Sequence, residues 1–371
     1  MKSFSKIDML HITLNLLELT GETQVVASRK LILFRIFNHI VLITILVDVL
    51  INFFYIEIDY YVKTLQSVFY LLQLLLKYLL LITQKPTIYN MLNIILNKFW
   101  DYHNFGKYFI RSTEKIYKRA THIQAAVIAA SVLLLYLYLL KSVVISNTGL
   151  IIESYIPKSE MIDAIMLISQ TYYTWLALTI VVGYDLIYFT TCIHVVLQLR
   201  LLKEKIQETI NQHNSNTRLI ICHCIKHHQI LLSLFFSMRD LYSIMLFFHY
   251  LSTLTSTCIG FLQLILRNTG TVNYAVEILA LLFLIAQFAM YSFPAEQIAF
   301  EFSDVANAIY ATKWYRNDAK TQKLMLYIMM KSQQNQYFSG AGFVDINFEA
   351  FESVVRKSFS LCAVFRNLLN N

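Results

Sequence analysis

Seven runs of apolar residues constrain this chain more than any motif in it does. They cover about residues 31–56, 64–83, 123–145, 161–199, 230–266, 274–293 and 343–367, and a hydrocarbon core is crossed by ~20 apolar residues of helix. Inside a bilayer each backbone N–H and C=O must be satisfied by its own segment, so the expected fold class is all-α: a polytopic membrane protein with seven transmembrane helices. Composition agrees, since 57% of the residues are apolar, 14% are aromatic and only three are proline, outside the range of soluble domains.

Two runs overshoot. At ~1.5 Å per residue, 161–199 and 230–266 would reach nearly twice the hydrocarbon thickness, so each is expected to cross once and continue into the cytosol. Arg239 and Asp240 mark the cytosolic part of the second. The sequence predicts a polar loop over 84–122, a break or kink at Pro294, and the last span from about residue 343. Residues 1–19 mix Lys2, Lys6, Asp8 and Glu18 into a short amphipathic pattern, which reads as a cytosolic interfacial helix rather than a cleaved signal.

Lysine and arginine alone argue the orientation. Of 31, 22 fall in the amino-terminal segment and in 84–122, 200–242 and 294–342, against five on the opposite side. The amino terminus is therefore expected in the cytosol and the carboxy terminus outside. Topology and membrane lipid account for the positive excess without any nucleic acid. The implied division is a cytosolic segment 1–30, a bundle of six spans 31–293, a cytosolic anchor 294–342 and a final helix 343–371.

Chemistry has few seats here. Cys222, His223, Cys224, His227 and His228 have metal-ligand residue types, but Cys222 and Cys224 point ~200° apart on a helix and no second ligand cluster supports them. No metal or cofactor is expected. Five cysteines, mostly in or beside spans, do not make a disulfide framework. Asp185 and Glu277 are carboxylates within spans, each a functional candidate by default, with pairing to a neighbouring helix as the plain alternative. No nucleophile elbow, phosphate-cradling loop or zinc-protease helix is present, so an enzyme is not expected.

Aromatic and hydroxyl side chains gather in the outward halves of spans two to four: Phe69, Tyr70, Tyr136, Tyr138, Tyr172, Tyr173 and Trp175. Singly they read as interfacial belts. Together they suit an apolar cavity for a small volatile ligand, held by area burial with few hydrogen bonds. With Gln73, Leu134, Leu176 and Phe283 they supply the candidate lining.

The last span is unlike the others. At 100° per residue, Glu349, Glu352, Ser353, Arg356, Ser360, Ala363, Val364 and Asn367 share a stripe roughly 120° wide, and Phe351, Val354, Ser358, Cys362 and Phe365 take the other side. Charged side chains cannot face lipid, so the stripe should face protein or water.

The order Ser303, Val305, Ala308, Tyr310, Trp314, Tyr315, followed by Ser360, Val364 and Arg366, resembles the carboxy-terminal signature of insect odorant receptors. Gln333, Gln334 and Asn335 stand where that family commonly has Gln-Lys-Pro, and Leu361 and Phe365 replace its closing tyrosine and leucine. The resemblance implies an odorant-gated cation channel subunit in the plasma membrane of a sensory neuron dendrite. It also implies a heterotetramer with a shared odorant receptor co-receptor, this chain being the odorant-tuning member. It places the odorant among the outer halves of spans two to six, a hydrophobic gate at Val364 beside Ser360 and Asn367, and assembly contacts on Tyr310, Trp314 and Tyr315. A gustatory-type channel of the same superfamily and a G-protein-coupled receptor are the alternatives. The charge bias opposes the second, which also lacks its Asp/Glu-Arg-Tyr and Asn-Pro-x-x-Tyr motifs here.

Overall fold

The computed structural model describes residues 6–19, 29–55, 61–145, 160–212, 216–266 and 271–370. Seven long helices carry the fold: α2 (Arg29–Tyr55), α3 (Tyr61–Thr83), α5 (Lys107–Ile145), α6 (Glu160–Gln212), α7 (Thr217–Leu266), α8 (Thr271–Tyr310) and α10 (Phe348–Asn370). Three short ones join them: α1 (Lys6–Glu18), α4 (Lys85–Asn97) and α9 (Ala319–Ser332). By length and composition α2, α5, α6, α7 and α8 are each able to cross a membrane, and α3 joins them when taken with α4, from which it bends by 70°. The described part of α10 carries Glu349, Glu352, Arg356 and Lys357 and is not apolar enough to pass alone.

Helix α6 is the axis. All its residues from 182 to 192 are buried, as expected of a helix that is apolar all round. Its most extensive packing is against α8, α7, α1 and α5, and it also meets α3, α2 and α4. Helix α1 sits against this axis with Met9, Thr13 and Leu17 buried, and a Cβ on Gly183 would lie 2.6 Å from the Leu17 side chain. Gln124 donates from Nε2 to Thr13 and Thr190 at 3.2 and 2.7 Å, tying α1, α5 and α6 together. So one face of α1 packs on the bundle rather than only on an interface.

Three expectations need correction. Residues 84–122 are largely helical: Ile88, Met91, Leu92 and Ile95 bury one face of α4, and α5 already starts at Lys107. The polar loop shrinks to a short connection, in which Asp101 accepts from the backbone of His103 at 3.0 Å. Trp100 stacks on His227 at 4.0 Å, while the Gln198 amide donates to the Trp100 carbonyl and accepts from its N–H.

Secondly, there is no break at Pro294, which lies inside the continuous helix α8. A proline removes one ladder bond and opens the preceding turn, and the Tyr188 hydroxyl donates to the carbonyl of Tyr291 at 3.2 Å within that turn.

Thirdly, the last span starts later than residue 343. Phe338–Gly340 (β1) and Val344–Ile346 (β2) form an antiparallel hairpin, Phe338 opposite Ile346. Both of these side chains are fully buried. Ala341 and Gly342 turn it with positive φ, and a Cβ on Gly340 would come within 3.0 to 3.1 Å of the Phe247 backbone. Helix α10 then begins at Phe348, its first turn capped by Asn347 Oδ1 accepting from Ala350 N–H at 2.8 Å.

Candidate functional site

The expected pocket residues fall into two groups. Tyr173 and Leu176 of α6 are buried with Val41, Leu42 and Ile45 of α2 and Leu71, Leu74 and Tyr78 of α3. Tyr172, one step round the helix, donates to Asn38 Oδ1 at 2.5 Å and packs its ring 5.2 Å from Phe37. The second group gathers where Tyr138 of α5 is within electrostatic reach of Glu277 of α8 and Tyr70 of α3. Phe69, Leu134 and Phe283 are half-buried. Tyr136 and Trp175 are exposed on the outside of the bundle, where belt residues sit.

Gln73 does something else. Its amide is 2.9 Å from Nδ1 of His249 on α7, and one turn further along α3 stands Lys77, wholly buried. Lys77 Nζ donates to Asp185 Oδ1 on α6 at 2.5 Å. The same carboxylate accepts from Gln287 Nε2 at 2.6 Å and from the Tyr291 hydroxyl, both on α8. A buried ion pair is tolerated when its remaining hydrogen-bonding capacity is met, and here three donors from two further helices share one carboxylate. His249 leans its ring on Tyr291 at 4.9 Å and on Phe288 at 5.7 Å. The knot therefore joins α3, α6, α7 and α8. The sequence points to Asp185 but not to its partner; a lysine in the apolar run of span two, one turn after a glutamine, is the signal that could have found it.

One aromatic layer separates this knot from α10. Phe288 lies 6.4 Å from Phe351 and Phe293 lies 5.4 Å from it. Helix α10 packs on α7 and α8 through Ala350, Val354 and Ser358, which repeat every four residues and are buried. Ser358 Oγ donates to the carbonyl of Val354 at 2.7 Å. The other face is open in the single chain: Glu349, Glu352, Arg356, Ser360 and Ala363 are exposed, and Val364 is 55% exposed. The side chain of Asn367 lies outside the described residues.

Beyond α8, Tyr310 and Tyr315 are exposed at 73% and 59%, whereas Trp314 is half-buried against the main core. Two of the histidines singled out for metal chemistry have hydrogen-bond partners: His227 meets Gln198 at 3.0 Å and His228 meets Ser332 at 3.3 Å.

Residues 57–359 match the family described as 7tm Odorant receptor. The chain belongs to that family. Similar proteins include Odorant receptor 22c of Drosophila melanogaster, 23% identical over 121 residues, which is 33% of this chain and 30% of that receptor. Odorant receptor 30a of the same fly is 23% identical over 179 residues, 48% of this chain and 47% of its own. The matched stretches thus span about half or less of those two receptors. The fold matches the olfactory receptor OR5 from Machilis hrabei in complex with eugenol, with TM-score 0.87, 13% identity and 97% of each chain covered. A second structure of OR5 gives TM-score 0.86 at 14% identity, covering 96% of this chain and 99% of that one. This family member is thus a predominantly helical, polytopic membrane protein in fold, with one short hairpin before its last helix.

Proposed function

We propose that this odorant receptor is the odorant-tuning subunit of a ligand-gated, non-selective cation channel, assembled with a co-receptor in the plasma membrane. The observation that carries the reading is the exposed stripe of α10, charged from Glu349 to Arg356 and apolar at Ala363 and Val364. Charged side chains on a membrane helix need water or protein opposite them, and a ring of such helices around a central axis supplies both. The apolar residues further along would close the path by dewetting.

A small apolar odorant would sit among α3, α5, α6 and α8, near Tyr70, Tyr138 and Glu277, with Tyr173 and Leu176 on the α2 side. Any shift of α6 against α8 is felt at Asp185, because its oxygens are held from α3 and α8 at once. Phe288 and Phe293 would then pass the movement to Phe351 and α10. Support for the family's ligand class comes from the OR5 complex with eugenol.

The test is expression in an otherwise silent cell, with and without a co-receptor, recording current against a broad odorant panel. Odorant-evoked cation current that requires both chains is the expected outcome. Responses that need a G protein and no partner would replace this reading with the seven-span metabotropic one.

A further inference from the structure

Helix α5 is a single rod of 39 residues that changes character partway along one face. Setting Lys107 at 0° and turning 100° per residue, Lys118, Arg111, Lys115 and Arg119 fall between about 20° and 120°. All five cations are exposed, and none of them makes an ion pair among the described residues. Thr113, Tyr117, Ala120 and Gln124 lie between about 220° and 280° on the same wheel; these are the buried residues that hold α5 to the bundle.

Above Ile123 the outward face has no charge. Ala125, Ala129, Val132, Leu133, Tyr136 and Leu140 are exposed and fall between about −20° and 80°, in line with the cations. An exposed, uncharged stripe of this length on a membrane helix suits acyl chains, and the cations below it stand where such a lipid surface would end.

Heights sort the cations. At ~1.5 Å per residue, Arg119 lies about 6 Å below Ile123, Lys118 about 8 Å and Lys115 about 12 Å. The headgroup layer is roughly 6 Å thick on each side of the hydrocarbon, and long basic side chains reach up towards it. Arg111 and Lys107, about 18 and 24 Å down, lie more than a Debye length of ~8 Å below that layer.

We infer that Lys115, Lys118 and Arg119 form a binding site for the headgroups of anionic phospholipids in the inner leaflet, with the acyl chains against the exposed stripe of α5. The inference rests on the orientation read from the charge bias, and it goes beyond the odorant site. A cation near a charged membrane surface is worth about fivefold in affinity, so removing three should weaken binding ~100-fold.

The test titrates the purified full-length receptor, in the assembly it forms, with dioctanoyl phosphatidylserine, dioctanoyl phosphatidylcholine and inorganic phosphate, read by native mass spectrometry. Phosphatidylserine should bind in preference to both others. The triple variant Lys115→Gln/Lys118→Gln/Arg119→Gln should lose that preference, while Lys107→Gln/Arg111→Gln, on the same face, keeps it within ~twofold, being too far from the headgroups. Equal loss in the two variants, no loss in the triple variant, or phosphate binding as tightly as the lipid would overturn the site. Should the triple variant not elute as a folded assembly, salt decides on the wild type: the preference must collapse between ~0.1 and ~1 M, as the Debye length falls from about 10 to 3 Å. A preference indifferent to salt refutes it. An epitope inserted at Gly106, where no atom lies within 4 Å of the space a Cβ would fill, should stain only permeabilised cells; staining of intact cells refutes the inner-leaflet placement and leaves the odorant recordings to be judged separately.

Discussion

Lys77 and Asp185 are where single side chains matter most. Each is almost wholly buried and their contact is 2.5 Å, so deleting one strands the other in a medium that cannot solvate it, at a cost of roughly 3–5 kcal/mol. Lys77→Met and Asp185→Asn should each lower thermal stability and surface expression, and the double variant should recover part of the loss. A thermal-unfolding double-mutant cycle checks this; strict additivity would mean that the two do not act as a pair. At the ligand end, Tyr138→Ala and Tyr173→Ala should alter odorant sensitivity more than surface expression. Because Tyr138 lies within electrostatic reach of Tyr70 and Glu277 while Tyr173 packs on α2, their effects should differ in ligand rank order. Unchanged dose–response curves in both would remove these residues from the pocket.

Among the elements, α10 has two faces that should respond differently. Val364 is on the open face and Val354, at 1% exposure, is on the packed one. Val364→Ser should raise ligand-independent current or change ion selectivity at near-normal expression. Val354→Ser buries a hydroxyl and empties space against α7 and α8, a change that typically costs roughly 1–3 kcal/mol, so it should mainly reduce expression. Recordings paired with surface labelling separate the two, and a well-expressed Val364→Ser channel with wild-type resting current and permeability would remove the gate from that position. The hairpin before α10 packs closely on α7, since a Cβ on Gly340 would come within 3.0 to 3.1 Å of the Phe247 backbone.

At the scale of the whole molecule, we propose the segment after α8 as the surface through which this chain assembles. Large amphipathic aromatics are frequent anchors of interfaces, and Tyr310 and Tyr315 are open to a partner while Trp314 braces the segment on the core. Trp314→Ala should reduce co-purification with the partner subunit; normal recovery of the complex would make the segment intrasubunit packing. Tags at both termini, stained before and after permeabilisation, test the proposed cytosolic placement of the amino end, on which the proposed lipid site of α5 also depends.

Local pattern determined a good deal of this receptor. Apolar runs of bilayer length dictated the long helices, and the overlength of 161–199 and 230–266 is seen in α6 and α7, of 53 and 50 residues. The two faces of α10 were legible too, because a helix that packs on one side writes its 3.6-residue period into the sequence. Tertiary structure alone decided the rest. Nothing local pairs Lys77 with Asp185 across 108 residues, and only the packing of α3, α6 and α8 makes one carboxylate serve three donors. Pro294 reads as a break until Tyr188 is found beside the turn it opens, and the hairpin at 338–346 is too short to announce itself by alternation. Its place is set by the α7 backbone it touches. Periodicity reports which face of an element is buried, and it carries no information about which distant element does the burying.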